Sequence, residues 1–175
     1  MGLYLLETRT PTAYRAAVES LLERLAGAAA DADATVVESR VTHDLKRVFT
    51  VVEHDAPDAA PLREAVARAE FEVDDIAPVR LVGAELEDVK AATSDGPRYL
   101  VEWDLPSDLT MDAYLARKKE KAPLYDDVPE VAFRRTYVRE DLDKCLCFYD
   151  APCEEDVYRA RDAVSAPVDR FHELA

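Results

Sequence analysis

The stretch Arg139-Glu-Asp-Leu-Asp-Lys-Cys-Leu-Cys-Phe-Tyr-Asp-Ala-Pro152 decides how the chain is read. It joins one extended segment through a tight polar turn to a second, and Asp150-Ala151-Pro152 then opens a helix. Nearly the same pattern stands earlier, at Val41–Pro57. Asp44-Leu45 lines up with Asp141-Leu142, and Asp55-Ala56-Pro57 with Asp150-Ala151-Pro152. The starts agree too, Tyr4-Leu5-Leu6-Glu7 against Tyr99-Leu100-Val101-Glu102. The sequence therefore reads as a tandem duplication, with a first repeat over residues 1–83, a linker over 84–97 and a second repeat over 98–175.

Each repeat spells the same order of elements. In the first, Leu3–Thr8 is an apolar strand. Tyr14, Ala17, Val18, Leu21, Leu22 and Leu25 then recur at helical spacing, which predicts an amphipathic helix over Pro11–Ala30 with Thr10 as its N-cap. Thr35–Val41 and Arg47–Glu53 read as hairpin strands, Asp58–Ala69 as a helix and Pro78–Val82 as a closing strand. In the second, Tyr99–Trp103, a Thr110-capped helix Met111–Lys121, Val131–Val138, Lys144–Tyr149, a helix Glu154–Val164 and Val168–Leu174 repeat the plan. The order β-α-β-β-α-β is the ferredoxin-like split unit, so the fold class is α+β. One such sheet carries helices on one face and leaves the other bare. Two tandem repeats packed sheet-to-sheet would close an intramolecular α+β barrel with a ligand cavity inside.

Composition narrows the function. Asp and Glu number 37 against 22 Lys and Arg, for a formal charge of −15. That balance argues against nucleic acid and anionic membrane surfaces, which need basic patches. It suits metal cations, a basic partner, a salty cytoplasm or simple solubility. The basic run Arg117-Lys-Lys-Glu-Lys121 is read as a solvated helix face. The N-terminus lacks a signal-peptide pattern, and the three cysteines do not form a disulfide framework, so a reduced cytoplasmic protein is expected. Dinucleotide, NTPase, serine-hydrolase and zincin motifs are missing from the sequence.

Strand alternation assigns the cavity lining. Leu146 and Phe148 suit the helix-covered face, which sends Cys145, Cys147 and Tyr149 to the other. Glu102 falls opposite Val101 and Trp103, and Phe133, Arg135 and Tyr137 share one face. The reading thus gathers Glu102, Arg135, Tyr137 and Cys147 in one pocket, with Glu7, Glu38, Arg40 and Thr50 at the corresponding places of the first repeat. In a binding protein, Arg135, Tyr149 and Glu102 would hold a small ligand, and Cys147 with Cys145 would favour a soft or borderline ion such as nickel, zinc or copper(I). In an enzyme, Glu102 would be the base, Tyr137 the acid and Cys147 the nucleophile. A structural or partner-binding module would have an apolar barrel instead. His43, His54 and His172 read as surface or cap positions.

Tyr99-Leu-Val-Glu102, the helix from Thr110, Tyr137-Val138, Lys144-Cys-Leu-Cys147-Phe-Tyr-Asp-Ala-Pro152 and Ala166-Pro167-Val-Asp169 together resemble one family. It is the domain-of-unknown-function family that includes the small actinobacterial nickel-binding proteins. The resemblance implies a ferredoxin-like fold assembled as a dimeric α+β barrel, and nickel or another divalent or soft metal as ligand. It also implies a His in the second helix and a Gly-His-Pro at its end. Arg161 and Ala166 stand at those positions here, and Val66 and Phe71 in the first repeat. The expectation is a small-ligand or metal-ion (nickel-like) binding protein acting mainly through the second repeat, as a monomer or homodimer. A cofactor-free isomerase, hydrolase or oxygenase is the alternative.

Overall fold

The computed structural model describes residues 1–92 and 96–175, so Thr93-Ser94-Asp95, within the expected linker, lies outside the described residues. The chain divides into two compact units. One comprises Met1–Val79, Glu87–Ala91 and Ala175, and the other Arg80–Leu86 with Ala92–Leu174. No helix among the described residues is long and apolar enough to cross a membrane.

The first unit runs β1 (Gly2–Arg9), α1 (Arg15–Asp31), β2 (Thr35–Val41), β3 (Arg47–His54), α2 (Ala60–Arg68) and most of β4 (Asp75–Val82), whose end from Arg80 falls in the other. Its strands pair antiparallel in the order β2-β3-β1-β4. Val18, Leu21, Leu25, Ala28 and Ala29 of α1 form the buried stripe that a 3.6-residue period places on one side. With Leu62, Ala65 and Val66 of α2 they pack on Tyr4, Leu6, Val48 and Val52. The helix starts at Arg15 rather than Pro11. Thr10 does not cap it, because its backbone N–H donates to the Lys46 carbonyl and its hydroxyl to that of Leu45, which ties it to the hairpin turn. A further short helix, α3 (Leu86–Ala91), stands where the linker was expected, with acidic Glu87 and Asp88 in its first turn and Lys90 in its last.

The second unit runs β5 (Tyr99–Asp104), α4 (Met111–Lys121), β6 (Ala132–Arg139), β7 (Lys144–Asp150), α5 (Glu154–Ala163) and β8 (Arg170–Glu173). The order is again antiparallel, β6-β7-β5-β8. Thr110 caps α4 by accepting from the Ala113 N–H. A 3₁₀ helix at Ala122–Asp127, which helical periodicity did not reveal, follows α4 and brings Tyr125 under the sheet.

Several local features recur at matching places. Leu45 and Leu142 both take a left-handed conformation, with φ of 60° in each. Their N–H groups donate back to Thr42 and Arg139 respectively. Asp44 and Asp141 each accept from the backbone two residues on, the Asx geometry that makes such a turn. A bulge interrupts β2 between Val36 and Glu38, and another interrupts β6 between Phe133 and Arg135. Arg24 reaches the carbonyls of Ala69 and Glu70 just past α2, and Arg117 those of Val164 and Ser165 just past α5. Each arginine satisfies carbonyls that a helix end leaves unpaired.

Candidate functional site

The central strand β7 sorts the candidate residues into two sets. Register opposes Cys147 to Val101 and Thr136, and Glu102 to Leu146, which in turn faces Tyr137. Cys145, Cys147 and Tyr149 belong to the core beneath α4 and α5, with Tyr114, Val157 and Ala160. Glu102, Tyr137, Leu146 and Phe148 therefore occupy the opposite face. This reverses the sequence reading. Leu146 and Phe148 are large and apolar, which suggests the helix-covered face, yet both faces of β7 are buried, so size does not separate them. The β6 bulge adds a second correction. It opposes Phe133 to Tyr149 but Arg135 to Phe148, so these two residues do not share a face. Glu102, Arg135 and Tyr137 thus do not meet Cys147 in one pocket.

On the opposite face Glu102 is the hub of an ion-pair network. Fully buried, it accepts from Lys144 Nζ at 2.6 Å, Arg170 Nε at 3.0 Å and His172 Nε2 at 2.8 Å. Burial pushes its pKa up, but the bonds from His172 and Lys144 and the charges of Lys144 and Arg170 outweigh it and hold the carboxyl at about 2. Such a carboxylate is ionised and saturated with donors at neutral pH, which suits a structural anchor better than a general base. His172, read as a surface or cap residue, is one of its partners. Arg135 lies over the Phe148 ring at 5.2 Å, and Tyr137 meets the same ring edge-on at 6.0 Å.

Under the helices a different chemistry gathers. Lys118 Nζ donates to Thr136 Oγ1 at 2.9 Å and to Cys147 Sγ at 3.6 Å. Thr136 passes its own hydroxyl proton toward Cys147 at 3.3 Å, and Cys145 Sγ lies 3.8 Å from Cys147 Sγ. The Cys145 thiol, then Lys118, Arg161 and Thr136, hold Cys147 well below the ordinary thiol range despite its burial. Cys145 is pushed the other way, by its bond to Cys147 and by burial, so Cys147 is the thiol of the pair that ionises first. Beside them, Tyr125 and Tyr149 share a hydroxyl contact of 2.7 Å, and Arg161 Nη1 donates to Tyr149 at 3.1 Å. Arg161 Nη2 donates to the Pro167 carbonyl at 2.7 Å. Among the described residues, Lys118 and Arg161 have no carboxylate within ion-pair distance.

Lys118, Tyr125 and Arg161 of this cluster border a narrow cleft of about 20 Å³. Trp103, Tyr114, Lys118, Tyr125, Arg161 and Ala166 line it. Sequence reasoning missed most of them. The basic run around Lys118 suggests a solvated helix face, but Lys118 stands one helical turn beyond the fully buried Tyr114 and shares its side of α4. That i, i+4 spacing was the available signal. Arg161 carried the same signal, since it follows Val157 by four residues on a helix whose apolar stripe is short. Of the three thiols, Cys153 is exposed and the other two are buried. A thiol reagent is therefore expected to label one equivalent in the native protein and three after denaturation. Rapid native labelling of two or more would contradict the burial of this cluster.

The position of this cluster between β5 and β8 can now be set beside known proteins. Residues 99–174 match the family described as nickel-responsive protein SCO4226-like. The matched stretch runs from β5 through β8 and holds Cys145, Cys147, Arg161 and Ala166. No curated protein matches the chain. Among solved structures, the putative chlorite dismutase TA0507 covers 100% of this chain and 95% of its own, with a TM-score of 0.57 at 11% identity. The siroheme decarboxylase NirDL covers 98% and 70%, at 0.48 and 13%. A putative monooxygenase from Fusobacterium nucleatum subsp. nucleatum covers 98% and 90%, at 0.45 and 11%. At its identity the first of these speaks for the fold alone, an α+β fold built on antiparallel sheet.

The residues of the SCO4226-like stretch do not fit nickel. Among the described residues no three of His, Cys, Asp and Glu converge as a metal group. Both positions at which the resemblance implies histidine, Arg161 and Ala166, line the cleft, one as a fixed cation and the other as a methyl group. A divalent ion would meet the positive side chains of Lys118 and Arg161 there.

Proposed function

We propose that the protein binds a small ligand through the polar cluster beneath α4 and α5 of its second unit. The contrast between the two units at corresponding places carries this reading. Cys147 opposes Thr136 and Val101 as Thr50 opposes Ser39 and Leu6. Arg117 and Arg24 reach the same kind of helix end, which equates Lys118 with Leu25 and Tyr114 with Leu21. The left-handed residues Ser165 and Glu70 equate Arg161 with Val66. Where the first unit buries Leu21, Leu25, Val48, Thr50, Val52 and Val66, the second buries or half-buries Tyr114, Lys118, Cys145, Cys147, Tyr149 and Arg161. The split unit stands on aliphatic packing, so its charged version is not required for folding. Taking each ion out of water costs several kcal/mol, which a binding role would account for. In this proposal the two units are copies of one ancestor.

In this proposal Lys118 and Arg161 supply charge, Tyr114 and the Tyr125–Tyr149 pair orient the ligand, and Cys147 offers a soft contact. An enzyme built on the same cluster would use the Cys147 thiolate as nucleophile. Its sulfur is wholly buried, which favours binding over attack on a substrate.

The test is a thermal-shift and calorimetric panel of small carboxylates, phenols, inorganic anions and nickel(II). It compares the wild type with Lys118→Met/Cys147→Val/Arg161→Met. At least one non-metal compound is expected to raise the wild-type Tm saturably, by roughly 5–10 °C at a hundredfold excess over Kd. The triple variant should not respond, and nickel should shift neither protein. A panel that shifts nothing, or shifts both proteins alike, overturns the proposal.

A further inference from the structure

One donor in the cleft of the second unit is left over after every internal bond is assigned. Arg161 is 1% exposed, yet its Nε has no partner, and the hydroxyl of the fully buried Tyr114 meets only the weak acceptor of the Cys145 thiol. Each buried donor without a partner costs about 1–3 kcal/mol, and native proteins satisfy nearly all of them. Both residues line the same cleft. Arg117, Lys118 and Lys121 line it as well, and none of its lining residues is acidic, in a chain whose net charge is −15. In the first unit the places of Tyr114, Lys118 and Arg161 are held by Leu21, Leu25 and Val66, which offer no such donors.

From this geometry we infer that the Arg161–Tyr114 cleft is a binding site for a small monoanion, a halide, nitrite or formate in size. The inference rests on the ligand-binding reading of the cluster and names the ligand class. Charge selects the sign, because a cation would face the fixed guanidinium of Arg161 and the Lys118 ammonium, whereas an anion would complete the unused Nε–H in a charge-assisted bond. Size follows from the free space of about 20 Å³, on the scale of one or two water-sized groups. Trp103, Tyr125, Val164 and Ala166 give the cleft an apolar share of wall, which suits weakly hydrated anions over sulfate or phosphate.

Trp103 lines the cleft and is the single tryptophan of the chain, so its fluorescence reports occupancy directly. The experiment titrates iodide at constant ionic strength into the wild type and Arg161→Met. Static quenching of Trp103 that saturates is expected in the wild type, with affinity weakened by about tenfold to a hundredfold in the variant. Formate, which does not quench, is expected to relieve iodide quenching competitively in the wild type. That arm stands even where Arg161→Met fails to fold. Linear, unsaturating quenching that formate does not relieve overturns the inference. If neutral phenols still raise the Tm of the wild type and not of the triple variant, the site binds ligands but is not an anion site. If they shift nothing either, both readings fall.

Discussion

Glu102→Gln is expected to lower stability by about 3 kcal/mol, read as a fall in Tm of roughly 6–12 °C near neutral pH. Glu102 is wholly buried and answers three donors, Lys144, Arg170 and His172. An amide in its place keeps the shape but removes the negative charge and gives those donors a second donor to face. The size of the effect follows from the shift of the carboxyl from 4.5 to about 2, since each pKa unit corresponds to about 1.4 kcal/mol. The pH dependence gives an independent check. The folded pKa lies below the unfolded one, so the contribution is fully present above about pH 4.5 and is lost as pH falls toward 2. Acid titration of the wild type should therefore show a steep loss across that window, and Glu102→Gln should show a shallower one. Equal acid limbs, or a loss below about 1 kcal/mol, would mean that Glu102 is not the anchor of this face.

The second large effect has the opposite sign. Lys118→Met/Cys147→Val/Arg161→Met is expected to be as stable as the wild type or up to about 4 kcal/mol more stable, because well-packed apolar groups replace buried ions that cost desolvation. The single substitution Cys147→Val should do the reverse. It leaves Lys118 and Arg161 beside a neutral side chain, and removing one partner of a buried ionic set costs about 3–5 kcal/mol. The three changes should thus be strongly non-additive when chemical denaturation is compared across the singles and the triple. Values that simply add would show that Lys118, Cys147 and Arg161 do not act as a set. A triple variant that is both more stable and unable to bind would join stability and function in one trade-off.

Much of the fold was legible in the sequence. The internal echo of Asp44-Leu45 in Asp141-Leu142 marks turns that the structure forms with the same φ. The 3.6-residue stripe of α1 and the Thr110 cap are local properties, written in contiguous residues, and a single chain displays them without reference to anything distant. The elements that escaped it have local reasons as well. The Thr10 hydroxyl had a better acceptor in the hairpin turn than in a helix end, and α3 is too short for a period to establish itself.

The site was legible only in its ingredients. The sequence by itself pointed to Cys147 and Arg161 in the second half where its internal echo sets Thr50 and Val66 in the first. Tertiary structure alone decided which of them meet. Alternation states that neighbours in a strand point to opposite sides, but not which side a helix covers. That choice turned on Tyr114 filling the space above two small cysteines, and on a bulge at Phe133–Arg135 that slips every following residue by one. The physical reason is range. Periodicity and caps are set by bonds between near neighbours, whereas the meeting of Lys118, Thr136, Cys147 and Arg161 depends on packing four separate elements, and it is packing that determines which charges find each other.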